Sequence, residues 1–264
     1  MIRGAVLGSP IDHSLSPILH SSAYSHLKLE ASYEKFDVGA GNLKAFLEKQ
    51  ASYTGFSLTM PLKEEALSVA VDIPEIDRRM NSINTLVARD GQWLGSSTDR
   101  LGIARLLKRA DTSHVAILGG GGTARSALAA IEDIDVTTPV TVYLRDVSKA
   151  QDIIARSELS RLTVRSLDDI DLDAASAVIQ TTPAGALDRY LENVNGMPGG
   201  TLIEALYQPW PTRLAQLFLS AGQLVLSGRD MLVEQAIYQV EIFSGLEVNH
   251  AEIRTVMQEA LAGV

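Results

Sequence analysis

The sequence contains no cysteine, which excludes disulfide bonds and thiolate chemistry. No apolar run approaches the roughly 18 residues that a membrane-spanning helix needs, and the first residues read as a strand rather than as a secretion signal. The formal net charge is −9, which argues against a nucleic-acid-binding surface. We therefore expect a cytoplasmic protein that binds neither a membrane nor a nucleic acid.

The histidines are also few and give no metal-binding pattern. No two of the five stand four residues apart, and none belongs to a metal-ligand motif. We therefore predict that the protein holds no metal. The histidines are His13, His20, His26, His114 and His250.

The chain does have enough apolar sequence for a large core, since 46% of its 264 residues are hydrophobic. Short apolar runs alternate with helical patterns, which is typical of an α/β protein with a mainly parallel, doubly wound sheet. A predicted hairpin turning at Asp90-Gly91 interrupts this alternation. The strands before Asp99 and those after Thr112 indicate two α/β lobes with a cleft between them.

The most informative stretch is the glycine-rich turn after the apolar run Val115–Leu118. Gly119, Gly121 and Ala124 have the G-x-G-x-x-A spacing of a dinucleotide site. The first glycine permits a tight turn, the second lets the backbone approach a pyrophosphate, and the small third residue lets the helix pack on the strand. The free N–H groups of that helix would face the phosphates.

Two serines precede the first predicted helix. Ser16 stands before Pro17 and has the position of an N-cap, with proline as the first helical residue. Ser14 has no such structural explanation. Two hydroxyls beside a helix N-terminus would also suit a small carboxylate, although the spacing alone favours capping over ligand binding.

Three further polar residues have two interpretations each. Lys63 is either a solvated lysine in a first helical turn or a cation facing the crevice at a strand end. Asn84 is either a satisfied core amide or a ligand contact. Asp99 is either a helix cap or first-turn anion, or a functional carboxylate.

Six short blocks stand in order along the chain, and they are Gly8–Pro17, Ser57–Lys63, Ser82–Leu86, Thr98-Asp99, Gly119–Arg125 and Gly228–Gln235. Taken together, their order and spacing resemble those of the shikimate dehydrogenases, from end to end of the chain.

The resemblance implies an oxidoreductase that reduces 3-dehydroshikimate to shikimate with NADPH, reversibly, in aromatic amino acid biosynthesis. It implies a substrate domain from residues 1–100 and 229–264, and a Rossmann-type NADP domain from residues 101–228. Lys63 and Asp99 would form the catalytic pair. A lysine ammonium can give a proton to the nascent alkoxide and take it back in the reverse direction.

The resemblance also implies binding roles for residues in both domains. Ser14 and Ser16 would hold the substrate carboxylate, and Tyr207 would lie near it. The residues around the ring hydroxyls would be Thr59, Lys63, Asn84, Asp99 and Gln235. The cofactor-binding residues would be Gly119, Gly120, Gly121, Gly122, Thr123, Ala124, Arg145, Lys149, Thr181 and Gly228.

The sequence departs from the family pattern at several positions. Ser57 and Ser97 stand where many relatives have asparagine, and we expect these changes to alter supporting hydrogen bonds rather than chemistry. Arg229 and Asp230 replace the usual Leu-Gly and could change cofactor affinity. Shikimate stays the first choice of substrate, with quinate or a related hydroxy acid less excluded than usual.

Cofactor choice depends on the segment after the second strand of the nucleotide lobe. An acidic residue there favours NAD, and an arginine favours NADP. Arg145 and Lys149 match NADP, whereas Asp146 stands where relatives that use NADP often have threonine. We predict NADP, with NAD possible.

Two alternative functions stay open at this point. One is an NAD-dependent quinate/shikimate dehydrogenase, and the other is a non-catalytic protein that senses the cofactor or a metabolite. The presence of both Lys63 and Asp99 argues against a sensor, which needs no proton donor. The small-molecule substrate is the expected partner, and the protein would be a monomer or a homodimer.

Overall fold

The computed structural model describes residues 1–192 and 199–263, which form two compact units. The first unit comprises Met1–Gly102 and the segment from Val233 onward, and the second comprises Ile103–Leu232. Each has its own sheet, and the structure confirms the predicted α/β class. Among the described residues, no helix is both long and apolar enough to span a membrane.

The first unit contains a five-stranded mixed sheet with the order β2-β1-β3-β4-β5. Strands β1, β2 and β3 are parallel, and the hairpin β4–β5 adds two antiparallel strands beside β3. The predicted turn at Asp90-Gly91 is present, with φ of 50° and 76°, the left-handed conformations of a type I′ turn. The elements are β1 Ile2–Gly8, α1 Ser16–His26, β2 Ala31–Asp37, α2 Leu43–Lys49, β3 Gly55–Leu58, α3 Leu62–Glu65, α4 Glu75–Arg79, β4 Thr85–Arg89, β5 Gln92–Ser96 and α5 Thr98–Leu107.

The second unit contains a six-stranded parallel sheet with the order β11-β10-β9-β6-β7-β8. Counted from β6, this is the 3-2-1-4-5-6 order of a dinucleotide-binding fold, whose topological switch point lies between β6 and β9. The elements are β6 Val115–Leu118, α6 Gly122–Glu132, β7 Val140–Leu144, α7 Ala150–Arg156, β8 Leu162–Ser166, β9 Ala177–Gln180, α8 Asp188–Leu191, β10 Thr201–Glu204, α9 Arg213–Ser220 and β11 Val225–Leu226.

Two long helices complete the chain, α10 Gly228–Ser244 and α11 His250–Leu261. Helix α10 starts at Gly228 because a reciprocal cap forms there. The backbone N–H of Ser227 donates to Asp230 Oδ2 at 2.7 Å, and the Asp230 N–H donates to Ser227 Oγ at 3.3 Å. This is a capping box, so Asp230, one of the departures from the family pattern, has a structural role.

The predicted cap of α1 is wrong. The helix begins at Ser16 itself, with Leu15 in the N-cap position, because Pro17 is compatible with the first helical turn. Ser14 Oγ accepts a long hydrogen bond from the Ser16 N–H at 3.4 Å. The hydroxyl of Ser16 is therefore not used as an N-cap, and Ser14 is the serine with a local backbone contact.

Two short helices, α4 and α8, were not predicted. Helix α4 has five residues and α8 has four. Segments of this length complete little more than one turn and show no helical periodicity. Helix α4 matters because it carries Asp77, a buried carboxylate discussed below.

Gly91→Ala should destabilise the first unit by ~1 kcal/mol, the cost of left-handed backbone for a residue with a Cβ. A Cβ on Gly91 would have no atom within 4 Å, so the loss is conformational and not steric. Urea unfolding measures it. Gly39→Ala is the matched control in the same unit, since a Cβ there would meet only Asn42 Nδ2, at 3.8 Å, and its φ lies outside the left-handed region. Equal stability of the two variants would contradict the type I′ turn.

Candidate active site

Lys63 and Asp99 form an ion pair in the first unit. Lys63 lies in α3, just after the carboxyl end of β3, and Asp99 lies in the first turn of α5. Lys63 Nζ donates to Asp99 Oδ2 at 2.6 Å, and the two side chains are 17% and 8% exposed. A charge-assisted hydrogen bond of this length, largely shielded from water, is strong. It gives the lysine side chain a fixed direction.

Asn84 holds the second oxygen of the same carboxylate. Its Oδ1 accepts from the Thr98 N–H at 2.7 Å, and because a backbone N–H can only donate, the orientation of the amide is determined. Asn84 Nδ2 must then face Asp99, where it donates to Oδ1 at 2.8 Å. It also donates to Gln235 Oε1 at 3.3 Å. The structure thus brings four predicted residues, Lys63, Asn84, Asp99 and Gln235, into one hydrogen-bonded cluster.

Asp99 is not the cap of α5. Ser97 precedes the helix, and its Oγ accepts from the Arg100 N–H at 3.3 Å, which is the geometry of an N-cap. The Asp99 carboxylate is instead shared between Lys63 and Asn84. This removes the cap interpretation of Asp99. It also shows that Ser97 supports the helix, as expected of that departure.

A second polar group lies behind Asn84, and sequence reasoning missed its central residue, Gln239. Gln239 is fully buried one turn after Gln235. Its Nε2 donates to Thr85 Oγ1 at 3.0 Å, and Thr85 Oγ1 donates to Asn84 Oδ1 at 3.0 Å. Its Oε1 accepts from Ser57 Oγ at 2.7 Å. Ser57 thus supports the cluster, as expected of the other serine departure.

His20 completes this buried group as a neutral ring. Its Nε2 lies 3.2 Å from Gln239 Oε1 and donates to it, and its Nδ1 accepts from the Tyr24 hydroxyl at 3.1 Å. The ring stacks on Tyr33 at 3.9 Å between centroids. Complete burial lowers the pKa of His20 from 6.5 to about 3, because a charged ring would lose its hydration. His20 therefore has a structural role in this buried group.

The three hydroxyl residues predicted to bind substrate lie near the same strand ends. Ser14 follows β1 and Thr59 follows β3, which are parallel neighbours in the sheet. A Cβ on Gly8, the last residue of β1, would lie 2.3 Å from Thr59 Cγ2, so Thr59 packs directly on that strand end. Ser16 is buried in the first turn of α1. Ligands of α/β sheets bind at such carboxyl edges.

In the second unit, the glycine turn has the geometry of a pyrophosphate cradle. Gly119 has a φ of 114°, and a Cβ there would lie 2.5 Å from Thr181 Oγ1. Gly121 is the N-cap of α6, and a Cβ there would meet nothing within 4 Å. Ala124 is completely buried. A tight turn, open space at the second glycine and a buried third residue fit a dinucleotide. Gly122 and Thr123 open the helix.

Thr181 lies at the switch point, after β9. Its Oγ1 donates to the Leu118 carbonyl at 2.8 Å, which joins the ends of β6 and β9 beneath the glycine turn. Gly120 packs on Leu144, since a Cβ there would lie 2.6 Å from Leu144 Cδ2. These contacts hold the glycine turn against the ends of β6, β7 and β9.

The segment after β7 carries Arg145, Asp146 and Lys149, all exposed. Asp146 Oδ1 accepts from the backbone N–H of Ser148 at 3.1 Å and from its hydroxyl at 2.6 Å. These bonds lower the pKa of Asp146 below its ordinary value. The carboxylate therefore caps the following turn. Arg145 and Lys149 are on either side of it.

Tyr207 follows β10, in a loop that a buried glutamate restrains. Glu204 is completely buried, and it accepts from the Leu206 N–H at 3.0 Å and from Thr212 Oγ1 at 2.8 Å. Burial raises its pKa to about 7. Gly228 packs against this loop, because a Cβ would lie 2.3 Å from the Leu206 carbonyl carbon. Sequence reasoning missed Glu204, which only its burial identifies.

Comparison with known proteins agrees with this geometry. Residues 6–86 match the family model of the shikimate dehydrogenase substrate binding domain. The crystal structure of Mycobacterium tuberculosis shikimate dehydrogenase is 35% identical, with a TM-score of 0.89, and the match covers 100% of this chain and 99% of that one.

Two other solved structures are also similar to this chain, one with substrate and cofactor bound and one with a different named activity. Shikimate 5-dehydrogenase from Thermus thermophilus, solved with NADP(H) and shikimate, is 28% identical with a TM-score of 0.84, over 98% of this chain and 100% of that one. A 5-ketofructose reductase of a Gluconobacter strain is 24% identical with a TM-score of 0.80, over 98% of each chain. At that identity the reductase shows a shared fold and no more.

His20→Gln should reduce the sensitivity of the first unit to acid. Below pH 6.5 the unfolded chain takes up a proton on His20 that the folded protein, with a pKa of about 3, does not. The free energy of unfolding therefore falls by up to about 1.4 kcal/mol per pH unit below 6.5. Urea unfolding at neutral pH and near pH 5 measures the difference between the two conditions, which should be smaller in the variant. His13→Gln, at an exposed position, should behave as the wild type. A wild-type pH response in His20→Gln would contradict a buried neutral ring.

Proposed function

This chain belongs to the shikimate dehydrogenase family, and on that premise we propose that it interconverts 3-dehydroshikimate and shikimate with NADP. The observation that carries the proposal is the Lys63–Asp99 pair, with Nζ–Oδ2 at 2.6 Å and Oδ1 held by Asn84. A ligand-binding protein without turnover needs no proton donor held in this way, so the pair favours an enzyme over a sensing protein. The role in aromatic amino acid biosynthesis follows from the same proposal.

In the proposed reaction, NADPH when bound supplies the hydride for the ketone carbon. Lys63 holds a proton on Nζ and delivers it to the alkoxide oxygen that forms. In the reverse direction the neutral amine accepts the proton of the hydroxyl. Asp99 compensates the ammonium charge and keeps Nζ in place. Arginine could not replace Lys63, because its guanidinium has no accessible neutral form.

We assign substrate recognition to side chains at the carboxyl edge of the first sheet. Ser14 and Ser16 would hold the carboxylate, and Thr59, Asp99 and Gln235 the ring hydroxyls. Both amide hydrogens of Asn84 already have acceptors, Asp99 Oδ1 and Gln235 Oε1. Its main role in the proposal is therefore to orient these two ligands. Tyr207 would contribute from the loop that Glu204 restrains.

We assign NADP to the second unit. The glycine turn would hold the pyrophosphate, with Thr181 and Gly228 supporting the loops around it. Arg145 offers a planar fork suited to the 2′-phosphate, and Lys149 adds a second cation. Asp146 is the residue that would favour NAD by binding the ribose hydroxyls. Its Oδ1 already accepts two hydrogen bonds from Ser148, which supports NADP. The corresponding domain division is 1–100 with 229–264 for the substrate and 101–228 for NADP.

The deciding experiment measures kcat/KM for shikimate and quinate, each with NADP and NAD. The proposal expects the highest value for shikimate with NADP. Higher values for quinate with NAD would favour the alternative dehydrogenase. No turnover of either acid would favour a sensing protein, and reduction of 5-ketofructose in preference to 3-dehydroshikimate would move the substrate outside the proposal.

Lys63→Ala should lower kcat by ~10²–10⁴-fold, the usual loss on removing a general acid–base group. The KM for shikimate should change much less, because the proton donor is not the main anchor of the substrate. Steady-state kinetics in both directions measure the two constants. Lys44→Ala removes an exposed lysine of the same unit and should leave both unchanged. A raised KM with normal kcat would contradict the assignment of Lys63.

Arg145→Ala should raise the KM for NADP much more than the KM for NAD, because only NADP carries the 2′-phosphate. Asp146→Thr should improve NADP alone, since threonine can still accept the Ser148 N–H without placing an anion near the phosphate. The exposed Arg161→Ala is the control for a general loss of positive charge. A wild type that uses NAD better than NADP would identify Asp146 as the ribose ligand.

A further inference from the structure

A buried carboxylate outside the predicted site holds the start of α5. Asp77, from the unpredicted helix α4, is 1% exposed. Its Oδ2 accepts from the Ser97 N–H at 2.9 Å, and its Oδ1 accepts from Arg100 Nε at 2.8 Å. The Asp77 side chain therefore restrains both Ser97, the residue before α5, and Arg100, the third residue of α5.

These contacts flank Asp99 on both sides. Asn84 holds the Thr98 N–H, Ser97 Oγ caps the Arg100 N–H, and Asp77 holds Ser97 and Arg100. The backbone around Asp99 is thus restrained from α4 as well as from Asn84. The first turn of an isolated helix has free N–H groups and frays, so a catalytic carboxylate in such a turn needs restraints of this kind.

We propose that Asp77 is a positioning residue for the acid–base pair, acting through Ser97 and Arg100 on the direction of Asp99. The proposal rests on the function proposed for Lys63 and Asp99. In this role Asp77 acts through its two partners rather than on the reacting groups. Loss of the Asp77 carboxylate removes the restraint that α4 places on the first turn of α5. The distance from Asp99 to Lys63 Nζ is then less closely fixed.

A buried carboxylate suits this task better than a neutral residue. It accepts two hydrogen bonds at once, one from a backbone N–H and one from a guanidinium. The partner Arg100 is 13% exposed, so water solvates its guanidinium only in part and Asp77 compensates its charge. Removing one member of a buried pair leaves the other charge uncompensated, and for that reason variants at both positions are needed.

The test is a double-mutant cycle between Asp77 and Lys63, with kcat and KM measured on shikimate and NADP. Asp77→Ala should lower kcat by ~10- to 10²-fold, the scale of a displacement of about 1 Å in a catalytic group. The KM values should change less. In the Lys63→Ala background, Asp77→Ala should change kcat by less than about 2-fold, because the pair it positions is already lost. A purely structural role would lower kcat equally in both backgrounds, and that result would overturn the proposal.

Two milder variants cover the case in which Asp77→Ala does not fold. Asp77→Asn keeps an acceptor for the Ser97 N–H, and Arg100→Met removes the other contact. Each should lower kcat relative to the wild type, by less than the ~10- to 10²-fold expected of Asp77→Ala. In the Lys63→Ala background, neither should change kcat by more than about 2-fold. Normal kcat in both would also overturn the proposal.

Glu132→Gln is the matched control. Glu132 is a buried carboxylate that likewise accepts from a backbone N–H and a side chain, those of Glu158 and Ser157, at the far end of α6. It should lower Tm without lowering kcat. Wild-type enzyme inactive on shikimate would contradict the proposed function itself, whereas active wild type with additive Asp77 and Lys63 effects would contradict only the positioning role.

Discussion

The hydrogen bond from the Thr98 N–H to Asn84 Oδ1, at 2.7 Å, determines the direction of the others in the cluster of Lys63, Asn84, Asp99 and Gln235. A backbone N–H cannot accept, so the amide of Asn84 has one orientation and its Nδ2 must face Asp99. That leaves Asp99 Oδ2 for Lys63. The arrangement of Asn84 and Asp99, and with it the position left for Lys63, thus depends on a main-chain atom, which is the least adjustable kind of donor.

The buried polar group behind this cluster follows from the same constraint. Asn84 is 3% exposed and Thr85 is completely buried, so their polar atoms need partners inside the protein. Gln239 is suited to this because an amide both donates and accepts. It donates toward Thr85 and accepts from Ser57 and from His20. The pKa of His20, lowered to about 3, keeps the ring neutral and the direction of its hydrogen bond constant.

What could be predicted from the sequence is what short segments encode. The glycine turn, the hairpin at Asp90-Gly91 and the residues Lys63 and Asp99 lie in local patterns or in motif blocks. Gln239 could not be found in this way because its partners are distant in sequence. Asp77 could not be found because it lies on a helix too short to show periodicity. The N-cap assigned to Ser16 failed for a different reason: Pro17 is compatible with more than one position of the first turn.

Asp146 has a structural role that would oppose the cofactor specificity proposed for its neighbours. Its carboxylate caps the turn after β7 through Ser148, yet its charge lies beside the two cations, Arg145 and Lys149, that would bind a 2′-phosphate. An aspartate is charged at neutral pH in any case, and the hydrogen bonds from Ser148 lower the pKa of Asp146 further. Threonine would retain the cap without the charge. Under the proposed function, cofactor preference would therefore depend on the balance between two exposed cations and an anion that also caps a turn.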